Sequence, residues 1–159
     1  GELWHSLSKL GGKLVVDTLK LIEEGKAPRE KQSDDYTLAP MLNKEIGLID
    51  WENKTAIEIK NLVRGLNPIM GAYTFVNDKK IKLWKVNILS NKDFIEKYVG
   101  NDALVVPLTN NAKNGDILLA NDKQGLFFKA KDAIIEVIEM QAENSKRMYS
   151  KDYLRGNKL

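Results

Sequence analysis

Gly47-Leu48-Ile49-Asp50-Trp51, then Thr55-Ala56-Ile57-Glu58, then Arg64-Gly65-Leu66-Asn67-Pro68 and Gly71-Ala72-Tyr73 make the stretch around which the rest of the chain is placed. It reads as a short strand, a capped helix and an exit turn. Thr55 and Glu58 have the S/T-x-x-E spacing of a capping box, in which each residue satisfies a free amide of the first turn. Ala56, Ile59, Leu62, Val63 and Leu66 then share one helical face. Gly65 and Asn67-Pro68 stop the helix, because proline cannot donate and disfavours a helical residue before it. Lys60 and Arg64, four residues apart, put two cations on the solvent side.

Beyond Tyr73 the period shortens from helical to alternating. Tyr73–Val76 and Ile81–Leu89 flank Asn77-Asp78-Lys79-Lys80, which predicts a hairpin. Alternation puts Lys80, Lys82, Trp84 and Val86 on one face, Lys79 at the tip and Lys85 on the opposite face. Residues 87–115 are rich in Asn and Lys, with apolar islands at Phe94-Ile95, Tyr98-Val99 and Leu104-Val105-Val106. They read as an insertion, with two helical turns over residues 92–99. Strands are predicted at 116–120, 126–131 and 134–140, and a short helix over 150–154 started by a Ser150 cap. Short strands, tight turns and an early helix predict a mainly β fold, a small OB-like Greek-key barrel.

Ahead of this unit, Leu3, Leu7, Leu10, Leu14, Thr18 and Leu21 recur every three or four residues, an amphipathic helix ending at Glu23-Glu24-Gly25. Such a stripe requires cover, so the helix is expected to fold back or to pair with another copy. Residues 26–35 are polar and charged, as in a linker.

The composition narrows the chemistry. There is no cysteine, which removes disulfides and thiol catalysis and fits a reducing cytoplasm. A single histidine, His5, argues against a histidine-rich metal site or a local catalytic triad. No run of about twenty apolar residues suits a membrane span, and no secretory leader is read at the start. Charge is uneven: residues 1–35 hold six Lys/Arg and seven Asp/Glu, so the excess of cations lies in residues 36–159. The last fourteen residues alone hold Lys146, Arg147, Lys151, Arg155 and Lys158 against Asp152, a balance suited to phosphates or to plain solvation.

Four segments, in order, resemble the C-terminal portion of methionyl-tRNA formyltransferases: Gly1-Glu2-Leu3-Trp4-His5-Ser6-Leu7; Ile49-Asp50-Trp51; Arg64-Gly65-Leu66-Asn67-Pro68 with Gly71-Ala72-Tyr73; and Lys146-Arg147-Met148 with Leu154-Arg155-Gly156. The chain departs from the family pattern at four places. Ile69-Met70 replaces a Trp-Pro pair, Met41 stands where lysine is common, Asp78 stands where glycine is preferred, and Ala133 stands where glycine is usual. The resemblance implies three parts: residues 1–25, the last helix of an otherwise absent catalytic domain; residues 26–46, a linker; and residues 47–159, an OB-like tRNA-binding domain.

The family moves a formyl group from 10-formyltetrahydrofolate to the amino group of methionine on initiator tRNA, in translation initiation. Its catalytic segment, His-x-Ser-Leu-Leu-Pro, does not occur here. No catalytic, folate-binding or metal residue is therefore assigned, and the chain by itself is expected to be inactive. The expected partners are initiator methionyl-tRNA and the catalytic domain, with no membrane. The cations implied to line the RNA path are Lys44, Lys60, Arg64, Lys79, Lys80, Lys82, Lys146, Arg147, Arg155 and Lys158. Tyr36 and Tyr149 are candidate stackers on an end base, with core packing as the competing role. The alternatives are the C-terminal domain of a related formyltransferase, a protein-interaction domain, and a generic OB module for single strands using Trp84 or Phe127-Phe128.

Overall fold

The computed structural model describes residues 1–99 and 111–159. By its contacts the chain divides into two units, residues 1–41 and 42–159.

In the first unit, α1 (Glu2–Glu23) runs unbroken through Gly11-Gly12 and ends where Gly25 turns to φ +70°. None of its residues is buried, and Leu3, Leu7, Leu10 and Leu14 are all exposed. Residues 26–41 form neither helix nor strand.

In the second unit the predicted capping box forms. The Glu58 amide donates to Thr55 Oγ1, and the Thr55 amide donates to Glu58 Oε2 at 2.8 Å. These bonds start α2 (Ala56–Leu66), whose Ala56, Ile59, Val63 and Leu66 are buried. One further bond is invisible to local reading: the Ala56 amide donates to Asp132 Oδ1 at 2.7 Å, an acid from 76 residues away set against the helix N-terminus. The bonds from Thr55, its backbone amide first, hold the Glu58 carboxyl below its ordinary 4.5. A carboxyl with a depressed folded pKa stabilises the fold above its unfolded value, and that contribution is lost as pH falls through the folded value. Thermal stability is therefore expected to drop as pH is lowered below 4.5. Melting temperatures of Glu58→Gln should fall less steeply over that range than those of the unsubstituted chain.

Five strands follow: β1 (Ala72–Val76), β2 (Lys79–Leu89), β3 (Ile117–Asn121), β4 (Gly125–Lys129) and β5 (Ile134–Ala142). They lie antiparallel in the order β1-β2-β5-β4-β3, and a two-residue β6 (Met148–Tyr149) adds to β5. The β1–β2 turn is Asn77-Asp78, with φ +48° and +61°, as a two-residue type I′ turn needs. An aspartate in the left-handed region carries strain that glycine avoids. Asp78→Gly is expected to raise stability by about 0.5–1 kcal/mol in urea unfolding.

The predicted lead-in strand before α2 is only a bridge, Leu48 to Tyr73, with the Ile49 amide donating to Tyr73 O at 2.9 Å. The predicted alternation along β2 also breaks. Register shifts against β5 lie on either side of Lys85, leaving one residue out of step on β2 (Trp84) and then one on β5 (Ile138). Val86 is thereby buried in the main core with Ile81 and Leu83 rather than on the face of Lys80 and Lys82. Bulges of this kind coil a sheet, and this one makes the sheet barrel-like without closing it. Among the described residues no pairing joins β1 to β3.

Trp51 fills that open seam. Its Nε1 donates to Thr74 Oγ1 of β1 at 2.9 Å, and its ring stacks on Phe128 of β4 with centroids 5.1 Å apart. Gly115, just before β3, lies so close that a Cβ there would sit 2.9 Å from the Trp51 ring. One buried indole thus joins the two edges that hydrogen bonds leave apart.

Two apolar clusters use the two faces of the sheet. The larger one packs α2 on Ile81, Leu83, Val86, Phe128, Val137 and Met140. The smaller one puts Phe94 and Val99 on Phe127, Leu118 and Ile134. Phe94 lies in α3 (Asn91–Phe94), which continues as a wider π turn over Ile95–Val99. Residues 87–99 are therefore integral and not the start of a decorating insertion. Asn87–Leu89 complete β2, and Phe94 is fully buried. Leu104-Val105-Val106 lies outside the described residues. Phe127 and Phe128 are fully buried, so neither serves as a nucleobase platform. At the end of the chain, α4 (Ser150–Gly156) forms where a helix is expected, but Ser150 does not cap it. Its hydroxyl donates to Val137 O at 2.6 Å and pins the helix to β5.

Candidate nucleic-acid interface

The face of β1 and β2 turned away from α2 carries a different chemistry from the core face. Ile81 and Leu83 are buried on the core side, so Lys80 and Lys82 alternate to the other. The two-residue turn fixes who meets whom: Phe75 pairs with Lys80 and Tyr73 with Lys82, and Lys82 pairs onward with Gln141 of β5. Lys80 Nζ sits 3.6 Å from the centroid of the Tyr73 ring. Lys82 Nζ and the Arg147 guanidinium lie 5.6 and 5.0 Å from the Trp84 ring. The result is a ladder in which cations alternate with aromatic rings, each such contact contributing about 0.5–1 kcal/mol when exposed.

Trp84 is the fixed rung. Its Nε1 donates to Gln141 Oε1 at 3.2 Å, its carbonyl accepts from Asn67 Nδ2 at 2.8 Å, and it is mostly buried. Gly71, at φ +70°, gives the ring room: a Cβ there would stand 3.1 Å from it. Arg147 is less free than the lysines. Its Nε and Nη2 both donate to Glu139 Oε2, at 2.7 and 2.6 Å, and Nη1 reaches Asn67 Oδ1 at 3.4 Å. Among the described residues no carboxylate is ion-paired with Lys79, Lys80 or Lys82. Unit charges about 7 Å apart repel by roughly 0.6 kcal/mol even in water. Such a cluster is relieved by a polyanion.

The ten predicted cations do not share one surface. Lys80, Lys82 and Arg147 come together on the open face, with exposed Lys146 next to Arg147 in sequence, while Lys79 stands at the hairpin tip in the alternation of Ile81 and Leu83. Lys44 is exposed just ahead of a single 3-10 turn (Glu45–Gly47), and Gly47 of that turn abuts Tyr73. Lys60 and Arg64 lie on α2, which packs on the core face, so they belong to the other layer. Arg155 is ion-paired with Asp152 at 3.0 Å beside a cleft of about 290 Å³ lined by Glu136, Ile138, Tyr149 and Lys151. Lys158 is exposed near the C-terminus. Tyr149 is exposed, so core packing is not its role in the second unit, and Tyr36 is exposed in the first.

Sequence reasoning missed Tyr73 and Phe75 as members of the site. The signal was present, since a two-residue turn after Val76 dictates that these rings face Lys82 and Lys80. Glu139, Gln141 and Asn67 depend on long-range pairings that no local pattern reveals.

Fold and face together define a small antiparallel β-domain with a cationic, aromatic face. Among the described residues no group of acidic or histidine side chains is arranged to hold a metal, and no helix is long and apolar enough to cross a membrane. The chain belongs to the family described as "Formyl transferase, C-terminal domain", whose sequence pattern matches residues 41–158. It is 41% identical to the methionyl-tRNA formyltransferase of Ruminiclostridium cellulolyticum and 36% identical to that of Clostridioides difficile. The alignments cover all of this chain and 46% of each relative, so the chain spans about half the length of the curated proteins it matches. Among solved structures, HypX from Aquifex aeolicus shares the fold at a TM-score of 0.60 and 18% identity, over 92% of this chain and 24% of that one.

Proposed function

We propose that this chain is the RNA-docking part of a methionyl-tRNA formyltransferase, the enzyme that formylates methionine on initiator tRNA at the start of translation. The observation that carries the reading is the open sheet face, where Lys80 and Lys82 stand among aromatic rings without carboxylate partners among the described residues. Phosphates supply most sequence-independent affinity for nucleic acid, and lysines and arginines on one face set the register of the bound strand. The relatives' names give the reaction class. On this reading the formyl donor, 10-formyltetrahydrofolate, binds elsewhere in the full-length enzyme, and the setting is the cytoplasm. Residues 1–25 then belong to the catalytic domain, residues 26–46 link the two parts, and residues 47–159 dock the RNA. The leucine stripe of α1 is covered by that catalytic domain, and in the isolated chain by a second copy.

The test is binding of the purified chain to initiator tRNA and to a single-stranded oligonucleotide across a salt series. Tighter binding of the tRNA, weakening steeply with salt, is expected. Equal binding of both would instead mark a generic single-strand module, and no binding at low salt would leave the chain without an RNA-docking role. The purified chain is also expected to transfer no formyl group to methionyl-tRNA. Transfer above background would overturn the division of labour.

A further inference from the structure

We propose that Phe75 is a stacking platform for an unpaired RNA base, with the adjoining phosphate taken by Lys80 and Lys82. This rests on the RNA-docking reading above and adds to it a specific contact. Phe75 lies on the edge strand β1, on the same face as Tyr73, and is 55% exposed. The other rings of the ladder are already engaged: Tyr73 is half-buried with Lys80 over it, and Trp84 is mostly buried between Lys82 and Arg147. Phe75 alone in the ladder keeps an open surface.

Its orientation is fixed rather than loose. The ring meets Tyr73 edge to face at 5.8 Å and 89°. Lys80 is its direct cross-strand partner, and a lysine in that position commonly lays its methylenes over the exposed ring. Here the Lys80 ammonium is drawn to Tyr73 instead, at 3.6 Å. More than half of the ring therefore stays open, with the cations at positions 80 and 82 beside it and no carboxylate paired to them among the described residues.

Charge and shape select the occupant. An apolar protein patch would gain nothing from several unpaired lysines around it, whereas a nucleotide presents a π-face and a phosphate within a few ångströms of each other. The base must be unpaired, because a duplex hides its π-faces in the stack and offers only its edges. Aromatic stacking of this kind is insensitive to base identity, so the contact adds affinity and position without adding sequence preference.

The experiment measures initiator tRNA binding to the full 159-residue chain, carrying Phe75→Leu, Phe75→Trp or Lys80→Gln, at four salt concentrations. Circular dichroism checks that each variant is folded. Phe75→Leu is expected to weaken binding about five- to hundredfold with an unchanged salt slope. Phe75→Trp should restore binding, and Lys80→Gln should lower the slope by about 1. Unchanged affinity in Phe75→Leu, with the unsubstituted chain still binding, overturns the stacking contact alone and leaves docking intact. Failure of the unsubstituted chain to bind tRNA overturns the docking reading, and the stacking contact with it.

Discussion

Trp51→Ala is expected to destabilise the second unit by about 3–5 kcal/mol, a large fraction of the roughly 5–15 kcal/mol that holds a typical domain folded. The size follows from what the indole does in three directions at once. It buries a large apolar surface against Phe128, it satisfies the buried Thr74 hydroxyl, and it occupies the space that Gly115 leaves open. Truncation leaves a cavity at the seam of an unclosed sheet, with no ladder bonds between β1 and β3 among the described residues to hold the edges together. Urea unfolding followed by far-UV circular dichroism measures it. Trp51→Phe separates the contributions. It keeps a ring on Phe128 and loses only the bond to Thr74, for a cost of about 1–2 kcal/mol. Equal stability of Trp51→Ala and the unsubstituted chain would mean that the seam is held by something other than Trp51.

The second large effect concerns binding. The double variant Lys80→Gln/Lys82→Gln is expected to lower initiator tRNA affinity about a hundredfold at 0.1 M salt and to reduce the salt slope by about 2. Each phosphate contact releases roughly one condensed counterion, so losing two contacts changes the slope as well as the constant. Both lysines stand at the surface of a strand, and the cation–π contacts they lose are weak, so folding should be little affected. Lys131→Gln/Lys129→Gln, at the β4–β5 turn, removes the same net charge from another place. If that variant loses as much affinity, the effect is overall charge and not the ladder.

Much of this was legible locally. The capping box at Thr55 and Glu58, the apolar stripe of α2 and the stop at Asn67-Pro68 depend on neighbours within one or two helical turns and appear as read, whereas Gly65 does not end the helix, which runs on to Leu66. The β1–β2 hairpin follows from Asn77-Asp78 for the same reason. The misreadings occur where a distant partner competes. Ser150 is the first residue of the helix, with Tyr149 at the cap position, and its buried hydroxyl donates to Val137 O, a partner thirteen residues away that no local pattern shows. Strict alternation along β2 fails at Lys85 because β5 sets the register there.

The candidate site divides in the same way. That positions 79, 80 and 82 are cationic and share a hairpin is written in the residues and the turn, since a two-residue type I′ loop allows one pairing only. The sequence by itself also determined the family, because the motifs at 49–51, 64–68 and 71–73 stand in order on elements whose formation is local. Tertiary structure alone decided which cations lie together. Arg147 joins Lys82 around Trp84 through the β2–β5 pairing, Glu139 takes most of its charge, and α2 carries Lys60 and Arg64 to the other layer. The physical reason is range. Capping, turn geometry and alternation act over a few bonds, whereas a charged surface is made by which strands lie side by side, and burial of the core chooses that.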